Sequence, residues 1–131
     1  MPQTEVKFFR DESDRAPALD WLADLPKKQS KGFAKCMALL EKLAQSGHEL
    51  QFPAASILRN GIYELRAHDG TVQYRLLYFF DQRQRNVAIV ARGFAKENKK
   101  QQDTEIARAY SCKVAFDGDP DKHIYSERVT L

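Results

Sequence analysis

Residues 60–80 read NGIYELRAHDGTVQYRLLYFF, and residues 86–96 read NVAIVARGFAK. In both runs, aromatic and β-branched residues alternate with polar ones over the length of a strand. The dipeptide Asp69-Gly70, which separates two such runs, is a strong signal for a two-residue β-hairpin turn. The polar residues 81–86 have the composition of a second loop between antiparallel strands. This stretch therefore predicts a three-stranded antiparallel meander.

The predicted hairpin brings two arginines together. A turn at Asp69-Gly70 places Arg66 opposite Gln73 and Glu64 opposite Arg75. Alternate side chains of a strand share a face, so the two arginines are expected to lie diagonally on the same side, about 7–8 Å apart. Arginines this close repel each other unless an anion, or a carboxylate such as that of Glu64, lies between them. We therefore expect a cationic surface on an exposed face of the sheet.

The distribution of charge supports a cationic surface in the same region. The net charge of the chain is +3, but residues 1–55 balance to zero, residues 56–113 carry +5 and residues 114–131 carry −2. The surplus thus lies on the meander and on the segment that follows it, with its cluster of Lys96, Lys99 and Lys100. Such a surface suits a polyanionic partner. The alternative is an ordinary solvated basic face.

Length and composition place the chain among single-domain globular proteins. The 131 residues are enough for one core, and the apolar fraction of 43% and charged fraction of 30% are ordinary. We expect no membrane association and a cytoplasmic location, because no apolar run reaches membrane-spanning length and no secretory signal opens the chain. Cys36 and Cys112 have no metal-ligand spacing, which fits a reducing compartment better than a disulfide framework.

Elements before and after the meander are predicted from their periodicity. Residues 5–9 alternate like a further strand, and a first helix is expected near Pro17, capped by Ser13 or Asp14. Residues 27–45 carry one continuous apolar stripe at helical spacing, which Gly47 is well placed to end.

A final helix is predicted from Thr104 to about Lys113, with Asp103 as its cap. The order β-α-α-β-β-β-α predicts an α+β fold in which the helices pack on a small antiparallel sheet. We assign residues 1–113 to this domain and residues 114–131 to a C-terminal extension. Because residues 124–129 alternate after an acidic turn, the extension is expected to add a strand to its own sheet or to pair with a second copy. A solvated tail is the alternative.

Three sequence strings resemble a known group of proteins. They are GIYELR at residues 61–66, YRLLY at residues 74–78 and GFAK at residues 93–96. In this order and spacing, followed by a lysine-rich turn and a helix, they resemble the RelE/ParE toxin superfamily, and in particular its HigB-type, phage-derived branch. The resemblance covers about residues 5–113.

The resemblance implies the toxin of a type II toxin–antitoxin system, held inactive by a cognate antitoxin protein. Toxins of this kind are mRNA interferases, endoribonucleases that cut mRNA, usually at the ribosome, with neither a metal nor a cofactor. In that chemistry a ribose 2′-hydroxyl attacks the neighbouring phosphate, and the enzyme stabilises the developing charge. Monomers and homodimers are both compatible with the resemblance. Arginine suits the task because its planar fork binds two phosphate oxygens and remains protonated.

The resemblance also implies a set of site residues. Arg66 and Arg75 match the two strand arginines and are expected to bind the phosphate and its transition state. Lys96 is expected to be an acid or a phosphate contact. The residues expected to contact RNA are Lys99, Lys100, Arg92 and Tyr74. The alternative for the two arginines is an ordinary cross-strand ladder with Glu64.

The chain departs from the pattern at Glu97, where relatives often have a second lysine, and at Gln101-Gln102, where they have Thr-Pro. Glu97 is a candidate general base, and alternatively an ion-pair partner of Lys100 or Arg92. Two other functions remain open at this point. One is a ParE-like gyrase inhibitor that acts by binding, and the other is an inactive prophage-derived relic.

Overall fold

The strands form one five-stranded sheet in a computed structural model that describes residues 3–125. They are β1 (Glu5–Phe8), β2 (Ala55–Ile57), β3 (Tyr63–Asp69), β4 (Val72–Phe80) and β5 (Val87–Ala95). Their order is β1-β5-β4-β3-β2, with β1 parallel to β5 and all other neighbours antiparallel. The predicted meander is thus the centre of the sheet, and the predicted N-terminal strand is confirmed as β1. The alternation pattern does not reveal β2, because three residues are too few to show a period.

Helices cover both faces of the sheet. They are α1 (Pro17–Asp24), α2 (Ser30–Ser46) and α3 (Lys99–Gly118). Tyr74, Leu76 and Tyr78 of β4 belong to the core cluster beneath α1 and α2, whereas Leu77 and Phe79 belong to the cluster beneath α3. A strand buried on both faces reads as a near-continuous apolar run, as β4 does after Arg75. The predicted α+β fold is confirmed, with β2 inserted between α2 and the meander.

The first two helices begin and end where local chemistry requires. Pro17 is the first residue of α1, but neither Ser13 nor Asp14 caps it, contrary to expectation. Instead the Asp11 carboxylate accepts hydrogen bonds from the backbone N–H groups of Ser13 and Arg15, at 2.8 and 3.0 Å, which holds this segment in a separate turn. The predicted end of α2 at Gly47 is confirmed, and this glycine has a φ of 52°.

The C-terminal helix is longer than predicted at both ends. Its cap is Asn98, whose side chain accepts a hydrogen bond from the Gln101 N–H at 2.8 Å, and the prediction of Asp103 is wrong. Asp103 instead accepts a hydrogen bond from Arg59 at 3.2 Å. Because α3 continues to Gly118, the proposed boundary between residues 113 and 114 falls inside it. No helix within residues 3–125 is long and apolar enough to span a membrane.

After α3 the chain returns to the outer edge of β1. A short 3-10 helix (Pro120–His123) leads to Ile124, which forms an isolated antiparallel bridge with Phe9. The Tyr125 N–H donates to the carbonyl oxygen of Phe8 at 2.9 Å. The last two described residues thus pair with an edge of the sheet. The rest of the predicted added strand, from residue 126 onward, lies outside the described residues.

Gly93, in one of the strings that carry the resemblance, has a packing role. A Cβ atom at this position would overlap the ring of Trp21, which lies on the backbone of β5. We therefore expect Gly93→Ala to lower the free energy of unfolding by about 1–3 kcal/mol, because the tightly packed ring must shift. Urea denaturation followed by the fluorescence of Trp21, the single tryptophan, measures this change. The matched control is Gly118→Ala, where a Cβ meets no atom within 4 Å, and an equal midpoint for both variants would contradict the prediction.

Candidate functional site

The β3–β4 hairpin sets the geometry of the candidate site, and its register differs from the prediction. Asp69 pairs with Val72, so the loop is Gly70-Thr71 rather than Asp69-Gly70. Gly70 has a φ of 61°, which suits the first central position of a primed turn. The pairing is shifted by two residues, and Arg66 lies directly opposite Arg75 instead of diagonally. A shift of two preserves the faces, so the two arginines still share one side.

A buried carboxylate lies between the two arginines. Glu64 Oε1 accepts hydrogen bonds from Arg66 Nη1 at 3.0 Å and from Ser56 Oγ at 2.9 Å. Its Oε2 accepts one from Gln102 Nε2 of α3 at 3.2 Å and lies 3.7 Å from Arg75 Nε. Glu64 therefore balances part of the repulsion between the arginines and ties β2, β3, β4 and α3 together.

Arg75 is a buried member of this cluster. Only 3% of the residue is exposed, contrary to the expected open strand face. Its Nη1 donates to the carbonyl oxygen of its neighbour Tyr74 at 3.0 Å and its Nη2 to Gln73 Oε1 at 2.8 Å, while Nε has no hydrogen-bond partner within the described residues. Burial, and then the charge of Arg66, lower the pKa of Arg75, and Glu64 opposes this shift. Arg75 can thus orient neighbouring groups but has little surface for a ligand.

Arg66 is the arginine that solvent reaches. Its side chain is 34% exposed. One hydrogen bond fixes it to Glu64, and the guanidinium carbon lies 5.3 Å from the centroid of the Phe52 ring. A guanidinium has five N–H donors, so a tether of this kind leaves others for a ligand.

A cleft of about 500 Å³ opens beside these groups, at the edge of β3. The first residue of β2, Ala55, pairs with Leu65. Among the described residues, the outer edge of β3 therefore has no strand beside it over residues 66–69, and the cleft lies there. Its charged lining consists of Lys42, Arg66 and Arg75, with His68 beside them. Among the described residues that line it there is no aspartate or glutamate. The cleft is therefore suited to an anion.

Lys96 continues the cationic row across the sheet. The exposed His68 and Gln73 face each other between β3 and β4. The Lys96 N–H donates to the carbonyl oxygen of Gln73 at 2.7 Å, which places this half-buried lysine on the other side of β4. Lys96 thus lies beside Gln73, which stands two residues before Arg75 on β4.

Lys99 and Lys100 are exposed at the start of α3. Within residues 3–125, neither these two lysines nor Lys96 forms an ion pair. Glu97 is likewise exposed, its carboxylate forms no ion pair with another described residue, and its backbone N–H donates to Gln101 Oε1 at 2.7 Å. These groups surround the start of α3 with charge that solvent can reach.

Two predicted RNA contacts do not belong to this surface. Tyr74 is buried on the opposite face of the sheet, beneath α2, and its hydroxyl donates to Gln29 Oε1 at 2.6 Å. Arg92 is held by the carboxylate of Glu105, with Nε 2.7 Å from Oε1. Tyr74 therefore does not belong to the site. The carboxylate that binds Arg92 is that of Glu105 and not, as one alternative predicted, that of Glu97.

Three residues of the site were not predicted from the sequence. Lys42 comes from α2, and only the tertiary fold brings it to the cleft. Phe52 lies in an irregular segment before β2. Gln73 had a readable signal, because it stands two residues before Arg75 on the same strand and thus shares its face. In the part of the chain that the structure describes, no group of three or more metal-ligating side chains comes together.

Comparison with known proteins places the chain in a family. A search of curated proteins finds no match. The model of the family "Phage derived protein Gp49-like (DUF891)" matches residues 20–113, well over half of the chain. The match includes Glu64, both arginines and Lys96. The chain therefore belongs to the Gp49-like family of phage-derived proteins, within the RelE/ParE-like toxin superfamily.

Proposed function

We propose that this protein is the toxin of a type II toxin–antitoxin pair, close to the HigB type, and that it cleaves mRNA without a metal. The observation that carries the proposal is the cleft at the edge of β3, lined by Lys42, Arg66 and Arg75 and by no described carboxylate. A single-stranded polyanion complements the charge of the cleft. Membership of a toxin superfamily supports the proposal that the cleft belongs to a toxin.

The proposed reaction is an internal transesterification. A ribose 2′-hydroxyl attacks the adjacent phosphorus and loses its proton, while the P–O bond to the next ribose breaks and its 5′ oxygen gains a proton. The products are a 2′,3′-cyclic phosphate and a 5′-hydroxyl end. Negative charge grows on the non-bridging oxygens, so fixed cations beside the phosphate lower the barrier.

Each residue has a proposed part in this reaction. Arg66 binds the phosphate oxygens, because it is the partly exposed arginine at the cleft. Arg75 is a positioning residue that holds Gln73 and faces Glu64 from within the protein. Lys96 contacts the phosphate or protonates the leaving oxygen, and Glu97 is the candidate base. Lys99 and Lys100 hold the flanking backbone.

The partners follow from the same surface. An antitoxin segment that covers the cationic cleft would block RNA, and acidic residues would suit it. The ribosome is the proposed place of cleavage, in the cytoplasm, since mRNA is single-stranded and accessible there. The proposal holds for a monomer or a homodimer.

The test is to express the chain without an antitoxin and to map RNA ends. We expect growth arrest, with translation failing first and new mRNA ends that carry a cyclic phosphate or a 3′-phosphate. Cells arrested by a translation inhibitor are the control for secondary RNA decay. The purified protein should cut ribosome-free RNA equally well with and without EDTA, and cleavage on ribosomes is measured separately in the Mg²⁺ that ribosomes require. DNA breaks with unchanged mRNA ends would instead identify a gyrase inhibitor, and normal growth with soluble protein would indicate an inactive relic.

A further inference from the structure

We propose that Phe52 is a stacking platform for one base of a single-stranded RNA whose phosphate lies at Arg66. This inference rests on the proposed function and adds to it a residue that no sequence string singles out. It identifies the ligand class at this end of the cleft as an unpaired nucleobase.

The ring of Phe52 is presented to solvent beside the cationic cleft. It is 70% exposed, although it is a large apolar side chain. The next two residues, Pro53 and Ala54, line the cleft, and the guanidinium of Arg66 lies over the ring with 5.3 Å between its carbon and the ring centroid. An aromatic ring and the arginine for the phosphate thus adjoin each other.

Exposed apolar side chains are common, so exposure alone carries no function. The surroundings of Phe52 decide the matter. A base stacks on an aromatic ring whatever its sequence, and an arginine in contact with that ring can hold the attached phosphate. Proteins that bind single strands combine these two elements, a cationic groove and exposed aromatic rings. Paired bases have no free face, so the platform selects unpaired RNA.

The exposed position of the Phe52 ring also allows it to be replaced without disturbing the core. Because Phe52 fills no core space, its replacement is expected to leave folding intact. Phe52→Leu removes the aromatic face but keeps an apolar side chain, and Phe52→Trp keeps an aromatic face. Ile57 is a matched control, since it is 73% exposed on the neighbouring β2 but carries no ring.

The probe is a short, fluorescently labelled single-stranded RNA with 2′-O-methyl riboses, which cannot be cleaved, and binding is read by fluorescence anisotropy. We expect Phe52→Leu to weaken binding by about 5- to 150-fold, the range of one lost base stack. Phe52→Trp and Ile57→Ala should bind like the unchanged protein. The dependence of log K on log salt should keep its slope in Phe52→Leu, whereas Arg66→Gln should reduce the slope by about one.

An RNA with abasic positions completes the test. It should bind the unchanged protein and Phe52→Leu equally, because the base that stacks is missing. A persistent difference on abasic RNA, or an equal loss in Ile57→Ala, would overturn the stacking role. If Phe52→Leu binds normally while Arg66→Gln binds weakly, the platform is wrong and the proposed function stands. If the unchanged protein binds no RNA, the proposed function fails and the platform fails with it.

Discussion

Arg66→Gln is expected to reduce RNA cleavage by roughly 100- to 1000-fold, the usual cost of removing one group that stabilises transition-state charge. Arg66 is the partly exposed arginine of the cleft, and glutamine keeps part of its length and polarity without the charge. The free energy of unfolding should fall by about 1–3 kcal/mol, because the buried Glu64 loses one charged hydrogen-bond donor but keeps its bonds to Ser56 and Gln102. Initial cleavage rates of the purified variant measure the first effect and urea denaturation measures the second.

Arg85→Gln is the matched control for this substitution. Arg85 is an exposed arginine in the β4–β5 loop, at the opposite end of β4 from the Gly70-Thr71 turn. The substitution Arg85→Gln removes one positive charge from the protein, as Arg66→Gln does, but leaves the charge of the cleft unchanged. Cells that express Arg85→Gln should therefore stop growing, and cells that express Arg66→Gln should grow. Full toxicity of Arg66→Gln would show that the cleft is not the site.

Glu64→Gln is expected to lower the free energy of unfolding by about 2–4 kcal/mol, because it removes the negative charge from a buried cluster with two arginines. Without that charge, Arg66 and Arg75 face each other across adjacent strands with only neutral groups between them. Chemical denaturation of the two proteins measures the difference.

The control is Glu5→Gln, which removes an exposed strand carboxylate 3.7 Å from Lys7 and should change stability by less than about 1 kcal/mol. The double variant Glu64→Gln/Arg66→Gln should regain part of the loss, since the repulsion is gone. A double variant less stable than Glu64→Gln alone would mean that hydrogen bonds, and not charge, dominate this cluster.

The fold was largely readable from the sequence because its signals are local. The aromatic and β-branched alternation of β3, β4 and β5 and the stripe of α2 each lie within one element. The register of the β3–β4 hairpin could not be predicted in this way, because Asp69-Gly70 and Gly70-Thr71 both place a glycine where a primed turn accepts it. The choice between them depends on which residues the strands bury, and that is a property of the whole sheet.

The sequence predicted that two arginines lie together in the site, but it did not predict how buried they are or which residues surround them. Alternation puts Arg66 and Arg75 on one face, but it says nothing of what covers that face. Arg75 is buried by Gln73 and by the cluster around Glu64 beneath α3. Arg75→Ala is therefore expected to lower the stability of the protein as well as its binding of RNA. In the same way, only the packing of α3 brings Glu105 to Arg92. Lys42 reaches the cleft, and Phe52 reaches Arg66, through tertiary contacts that no local pattern encodes.

The parallel pairing of β1 with β5 gives the protein an order of assembly. Glu5 pairs with Val87 and Phe8 with Val90, so β1 has no partner in the sheet until β5 has been synthesised. The β3–β4 hairpin needs only neighbouring chain, and contacts of short sequence separation form fastest. A growing chain can therefore bring Arg66 and Arg75 together before β1 pairs with β5.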